Sequence, residues 1–196
     1  QVIDAAMVDG AAQLMWMFHG MEAGGMWDAT EREANMLDGA AHFYDTYECA
    51  DGKYISLGSI EPQFYALLKD IAGLSEEDFG NQHDRSQWPL MKEKLATVML
   101  QKTQAEWCEL MEGTDVCFAP VLNFVEAASH PANVARETYV DVGGVTQPAP
   151  APRFSRTPSR VAHATHDAGE DTNEVLIAMG LAQGEIDQLR EAGSIS

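Results

Sequence analysis

Cysteine is scarce and poorly placed for cross-linking. Cys49, Cys108 and Cys117 are an odd number without CxxC spacing, which argues against a disulfide framework and a cysteine zinc site. Positive charge is also short. Twelve Lys and Arg face 31 Asp and Glu, a net charge of −19. A phosphate backbone or an anionic membrane repels such a surface, so neither nucleic acid nor a membrane is expected as partner. Long apolar runs are missing too. The most apolar window, residues 3–21, carries Asp4, Asp9, Gln13 and His19, whereas a span needs about 20 apolar residues with few charges. No charged segment followed by an apolar stretch and a cleavage site is visible, and no Asn-x-Ser/Thr sequon occurs. The expected location is the cytoplasm. Among motifs, GxGxxG, the P-loop, GxSxG and HExxH are all absent. His163 and His166 have ligand spacing but lie in a polar stretch, and no metal site is expected there.

What remains is an ordinary globular composition: 196 residues, 45% apolar and 22% charged. Ile3, Met7, Ala11, Leu14, Phe18 and Met21 repeat every three or four residues, which predicts one long helix with a buried stripe, stopped by Gly24-Gly25. That periodicity is already running at Ile3, without a capping box or an initiator Met ahead of it. The chain is therefore expected to be the C-terminal part of a longer protein. Residues 26–42 read as irregular. Phe43–Cys49 and Lys53–Ser59 predict a hairpin around Asp51-Gly52. Pro62 opens a helix that Gly73 closes, Pro89 opens another, and Thr103-Gln104-Ala105-Glu106 is a capping box for a third. Asp115–Leu122 predicts a buried strand, and Asn123 caps a short helix. Four prolines within 147–158 predict a linker, and two short helices end the chain.

Few residues stand out chemically. Glu61 follows an apolar strand and precedes Pro62, so the turn presents it at a sheet edge and at a helix N-terminus that favours an anion. It is either a helix cap or a functional carboxylate. Six of the 10 methionines lie in the first 36 residues. They form either ordinary core or an adaptable surface for varied acyl chains. Histidine is the side chain whose ordinary pKa lies near neutrality, so His19 and His42 are candidate bases, but neither has an evident orienting partner in the sequence.

Particular stretches carry a family likeness. They are Gln1 to Gly10, Asn35-Met36-Leu37-Asp38-Gly39, Gly58-Ser59-Ile60-Glu61-Pro62-Gln63-Phe64-Tyr65, Thr114-Asp115-Val116-Cys117 through Leu122, and Pro150 to Ser155. Together they resemble the α-methylacyl-CoA racemases of the family III CoA-transferases. The resemblance implies an α/β protein in which this chain is mainly an α+β small domain with a long linker helix and C-terminal helices. Residues 1–42 would be the linker helix and crossing segment, 43–142 the small domain, and 143–196 a proline-rich return to the large domain. It further implies an interlocked homodimer with active sites between subunits. The substrate would be an acyl-CoA thioester, with no cofactor beyond the coenzyme A it carries. The chemistry would be a 1,1-proton transfer at the α-carbon through an enolate. A His and an Asp upstream of these residues would move the proton. Glu61 would match a glutamate that pairs with the His and tunes it. Met7 and Leu37 would match acyl-pocket positions, and Asn35 and Gly39 share the same motif. Two other readings remain: a CoA-transferase on this fold, which often has a glycine-rich loop where Gly58-Ser59-Ile60-Glu61-Pro62 stands here, and a truncated non-catalytic dimerisation partner.

Overall fold

The computed structural model describes residues 1–195. They form two compact units, Gln1–Leu122 and, from Asn123 on, the rest of the described residues. The first begins with α1 (Met7–Leu14) and α2 (Trp16–Ala23), which meet at Met15. One long buried helix from Ile3 was expected, and this is a correction. The N-cap is Ala6, which has no side-chain acceptor, so the first residues stay outside the helix. The apolar stripe is real, yet Met7 is 90% exposed and Leu14 80%. Only Phe18 and Met21 are partly covered, and the Phe18 ring meets Trp27 edge-on at 4.9 Å.

Next come β1 (Tyr44–Glu48) and β2 (Tyr54–Gly58), an antiparallel hairpin whose loop holds Gly52 at φ 74°. Helix α3 (Pro62–Ala72) follows, then α4 (Glu76–Phe79), α5 (Trp88–Met99) and α6 (Gln104–Met111). Gly73 closes α3 in the left-handed region, and the Thr103 capping box opens α6 with both reciprocal bonds made. Strand β3 (Phe118–Val121) joins β2, giving the antiparallel order β1-β2-β3. The expected buried strand over 115–122 is thus a shorter edge strand with alternating exposure. Pro120 has no N–H to donate, and an edge is where a sheet tolerates that.

One sheet face and three helices share a core. Tyr47, Ile55 and Leu57 point inward, and Tyr65 and Leu68 of α3 meet them. Trp88, Met91, Leu95 and Met99 of α5, with Trp107 and Met111 of α6, complete the cluster at helical spacing. Each fully buried large apolar side chain here contributes roughly 1.5–3 kcal/mol. The opposite sheet face, with Tyr44, Thr46, Tyr54 and Val121, is exposed.

His42 sits in this core with no exposed surface. It has an orienting partner that its sequence neighbours do not reveal. Its Nε2 lies 2.8 Å from the Tyr65 hydroxyl, which donates to the Phe79 carbonyl at 2.9 Å. The hydroxyl's one proton is thereby used, so His42 Nε2–H is the donor, and Nδ1 has no partner among the described residues. Burial, reinforced by neighbouring His83, pushes the imidazole down to about 4. The folded state therefore keeps His42 neutral where an unfolded chain protonates it. Stability is full above pH 6.5 and falls as pH drops towards 4, by about 3 kcal/mol. Urea unfolding at pH 7 and pH 4.5 measures this; in His42→Phe, which cannot protonate, that part of the loss should vanish.

The second unit contains α7 (Phe124–Ser129), α8 (Pro131–Ala135), β4 (Tyr139–Val142), β5 (Val145–Pro148), α9 (Thr172–Ala178) and α10 (Gln183–Glu191). Asn123 Oδ1 caps α7 by accepting from the Val125 and Glu126 amides, both at 3.0 Å. The proline-rich stretch is a linker only in part, because 147 and 148 belong to β5. Gly143 and Gly144 both take positive φ, 63° and 83°, and this two-residue turn pairs β4 with β5. Pro148 fits because each strand of a two-stranded ribbon is an edge.

Candidate active site

At one end of the three-stranded sheet, Tyr44, Gly58 and the start of β3 lie side by side. Tyr44 pairs with Gly58, whose amide donates to the Cys117 carbonyl at 2.8 Å. Leu37, Asp38 and Gly39 complete an open groove of about 560 Å³ there, with Tyr44, Gly58 and Cys117 among its walls.

The 35–39 loop is shaped by Asn35, which is 1% exposed. Its Nδ2 donates to Asp38 Oδ2 at 2.7 Å and to the Asp28 carbonyl at 2.9 Å, and its Oδ1 accepts from the Asp28 amide at 2.7 Å. The Asp38 carboxyl also accepts the Asn35 amide, and these bonds hold its pKa down against the desolvation that would raise it. Gly39 takes φ 96°, where a side chain is strained. Its carbonyl accepts from Lys92 Nζ at 2.7 Å, and the same ammonium pairs with Asp45 at 2.5 Å. Lys92 of α5 therefore ties the loop to β1.

Glu61 lies three residues past Gly58 of the groove wall, in the β2–α3 connection, and is not itself among the lining residues. The connection is anchored: Ser59 N donates to the Phe43 carbonyl at 3.0 Å, and Ser59 Oγ to the Val116 carbonyl at 2.5 Å. Glu61 is the N-cap residue of α3, at φ −72° and ψ 143°, but its side chain makes no capping bond. The carboxylate is exposed and, among the described residues, carries no hydrogen bond or ion pair. Glu61 thus occupies the N-cap position without a capping bond from its side chain. An anion rests at the positive end of an 11-residue helix, with its acceptor oxygens open to an incoming N–H or O–H.

Cys117 is close enough to feel that charge. It is exposed, at φ 58°, and its thiol is pushed up by desolvation first and then by the Glu61 and Asp115 carboxylates. With Cys49 and Cys108 replaced by Ala, Glu61→Gln should lower the pH at which Cys117 becomes alkylated. An unchanged alkylation profile would contradict the proximity.

The structure thus brings Leu37 and Gly39 into one groove, sets Asn35 beneath their loop, and places Glu61 beside Cys117. Asn35 is spent on shaping the loop and offers the groove no free polar atom. Met7 does not line the groove. His163 stacks on His166 at 4.3 Å, and His166 meets Asp171 at 2.7 Å, which raises its pKa. Among the described residues no group of three or more His, Cys, Asp and Glu is arranged to hold a metal. Sequence reasoning missed Lys92, Ser59 and the Cys117 thiol, whose roles arise from contacts distant in the chain.

Residues 1–172 match CoA-transferase family III, and the chain belongs to that family. Among curated proteins it is 46% identical to the alpha-methylacyl-CoA racemase of Mus musculus over 192 residues and 42% identical to that of Homo sapiens over 196. Each match takes in 96% of this chain and 50% of the relative, so the chain spans half the length of these proteins. Among solved structures, a CAIB/BAIF family protein from Brucella suis superposes with a TM-score of 0.69 at 19% identity, over 91% of this chain and 48% of that one. A hypothetical protein from Mycobacterium tuberculosis gives 0.64 at 20%, over 88% and 46%. The expected family III fold, mixed in α and β, therefore stands. No helix among the described residues is long and apolar enough to cross a membrane.

Proposed function

We propose that this chain is the small-domain part of a racemase that inverts the α-carbon of 2-methylacyl-CoA thioesters. Two curated relatives named alpha-methylacyl-CoA racemase, at 42–46% identity, support the reaction class. The observation that carries the residue assignment is the unspent Glu61 carboxylate on an anchored backbone, three residues past Gly58 of the groove wall.

In this reading the enzyme is an interlocked homodimer that works without a metal or organic cofactor, coenzyme A being part of the substrate. A base removes the α-proton, the electron pair moves onto the thioester oxygen as an enolate, and an acid returns a proton to either face. Glu61 accepts a hydrogen bond from the imidazole of the proton-transferring His and stabilises its protonated form. Leu37 contacts the acyl chain from the groove, whose shape the Asn35–Gly39 loop sets, and Met7, outside the groove, meets it from the exposed stripe of α1. The exposed apolar stripe of α1 and α2 suits a helix covered by the remainder of such a dimer.

The test uses the full-length protein and a 2-methylacyl-CoA in deuterated water. The α-position should gain deuterium as the two epimers equilibrate. Transfer of coenzyme A from a donor thioester to a free acid, without exchange, would replace this reading by the transferase.

A further inference from the structure

Gln82 lies in the stretch between α4 and α5, 23 residues from Ser59 in the chain, and is 7% exposed. Its Nε2 donates two hydrogen bonds, to the Ser59 carbonyl at 3.0 Å and to the Ile60 carbonyl at 2.9 Å. These are the two carbonyls immediately before Glu61. A primary amide has two N–H donors, and this one uses both on adjacent acceptors. Gln82 is itself held, because Trp88 Nε1 donates to its backbone carbonyl at 2.8 Å and the Trp88 ring is packed in the core.

We propose that Gln82 is a positioning residue for Glu61, a buried two-pronged clamp that transmits the rigidity of the α5 core to the carboxylate. The inference rests on the racemase reading for what Glu61 does, but the clamp itself is geometric. Ile60 N bonds to the Gly58 carbonyl at 2.8 Å, so the chain bends sharply just ahead of Glu61. Such a bend leaves the Ser59 and Ile60 carbonyls outside any strand or helix ladder. Without a donor from elsewhere, both would have to find water at a largely buried position. Supplying both from one amide fixes the two peptide planes relative to each other and to Trp88. That in turn fixes the start of α3, where the Tyr65 amide bonds the Glu61 carbonyl at 2.9 Å. A carboxylate that must meet an imidazole within hydrogen-bond distance gains from such a support, since a displacement of about 1 Å costs up to about 100-fold in rate.

The test is a double-mutant cycle on the full-length protein, read as α-deuterium exchange. Gln82→Met keeps the length and removes both donors. It should lower kcat by 10-fold or more with KM within 2-fold. On a Glu61→Gln background the same change should lower kcat by less than 3-fold, because the group it positions is already gone. Trp88→Phe, which loses only the anchoring N–H, should lower kcat in the same direction by a smaller factor. A wild-type protein without exchange defeats the racemase reading itself. Exchange in the wild type, lost in Glu61→Gln but unchanged in Gln82→Met and Trp88→Phe, overturns the clamp. Equal losses with and without Glu61, or losses that track the unfolded fraction in a thermal melt of the same samples, also overturn it.

Discussion

Glu61→Gln should lower the α-proton exchange rate of the full-length protein between roughly 10- and 10⁴-fold, the range for a group that assists general acid–base catalysis. Glutamine has the same shape and keeps one acceptor oxygen, so it can still meet an imidazole N–H. It lacks the charge that stabilises the imidazolium formed when the base takes the proton. The loss should therefore fall on kcat more than on KM. Folding should hardly notice. The side chain makes no capping bond, is exposed, and among the described residues has no ion-pair partner. A change of less than about 1 kcal/mol is expected, typical of an exposed substitution away from structural contacts. Parallel exchange assays and thermal melts separate the two effects. A variant with wild-type turnover would strip Glu61 of its role.

The largest effect on stability should come from Trp107→Ala. Trp107 is 1% exposed in the shared core, and its Nε1 donates to the Met99 carbonyl at 2.9 Å. The bond joins the end of α5 to α6, and the Lys102 ammonium lies 5.5 Å from the ring centre. Truncation removes the indole, leaves a cavity between two helices and frees a buried carbonyl. A loss of about 3–5 kcal/mol is expected for an aromatic-to-alanine change in a packed core. Chemical denaturation measures it. The second effect would be local, because α5 also carries Lys92, which ties the Gly39 loop to Asp45. A loss below about 1 kcal/mol would mean that the α5–α6 seam is not part of the cooperative core.

Local signals made much of the first unit legible. Asp51-Gly52 fixes the hairpin, Pro62 and Gly73 bracket α3, and Thr103 with Glu106 opens α6, because each acts within a few residues of chain. Glu61 was legible for the same reason, as the residue between a strand and a proline. The failures have the opposite origin. The stripe of α1 and α2 reads as buried because periodicity reports which face is apolar, not what covers it. The β4–β5 ribbon was hidden by prolines that normally mark linkers, although Gly143-Gly144 carried its signal. His42 and Asn35 gain their partners from Tyr65 and Asp28, and Ser59 from Val116, contacts that only the folded chain makes. The candidate site is thus half legible: its residues stand in recognisable motifs, while the bonds that hold them do not.

In the proposed interlocked homodimer, Glu61 completes a site whose proton-transferring His belongs to another subunit. Mixed dimers test it most directly. One subunit carries Glu61→Gln and the other lacks the His, and each variant is nearly inactive when paired with itself. If the site is shared, the mixed dimer contains one site with both groups intact, and α-deuterium exchange should return to about half the wild-type rate per dimer. If Glu61 serves the His of its own subunit, each site in the mixed dimer stays damaged. Exchange no higher than the average of the two variant dimers would contradict the account.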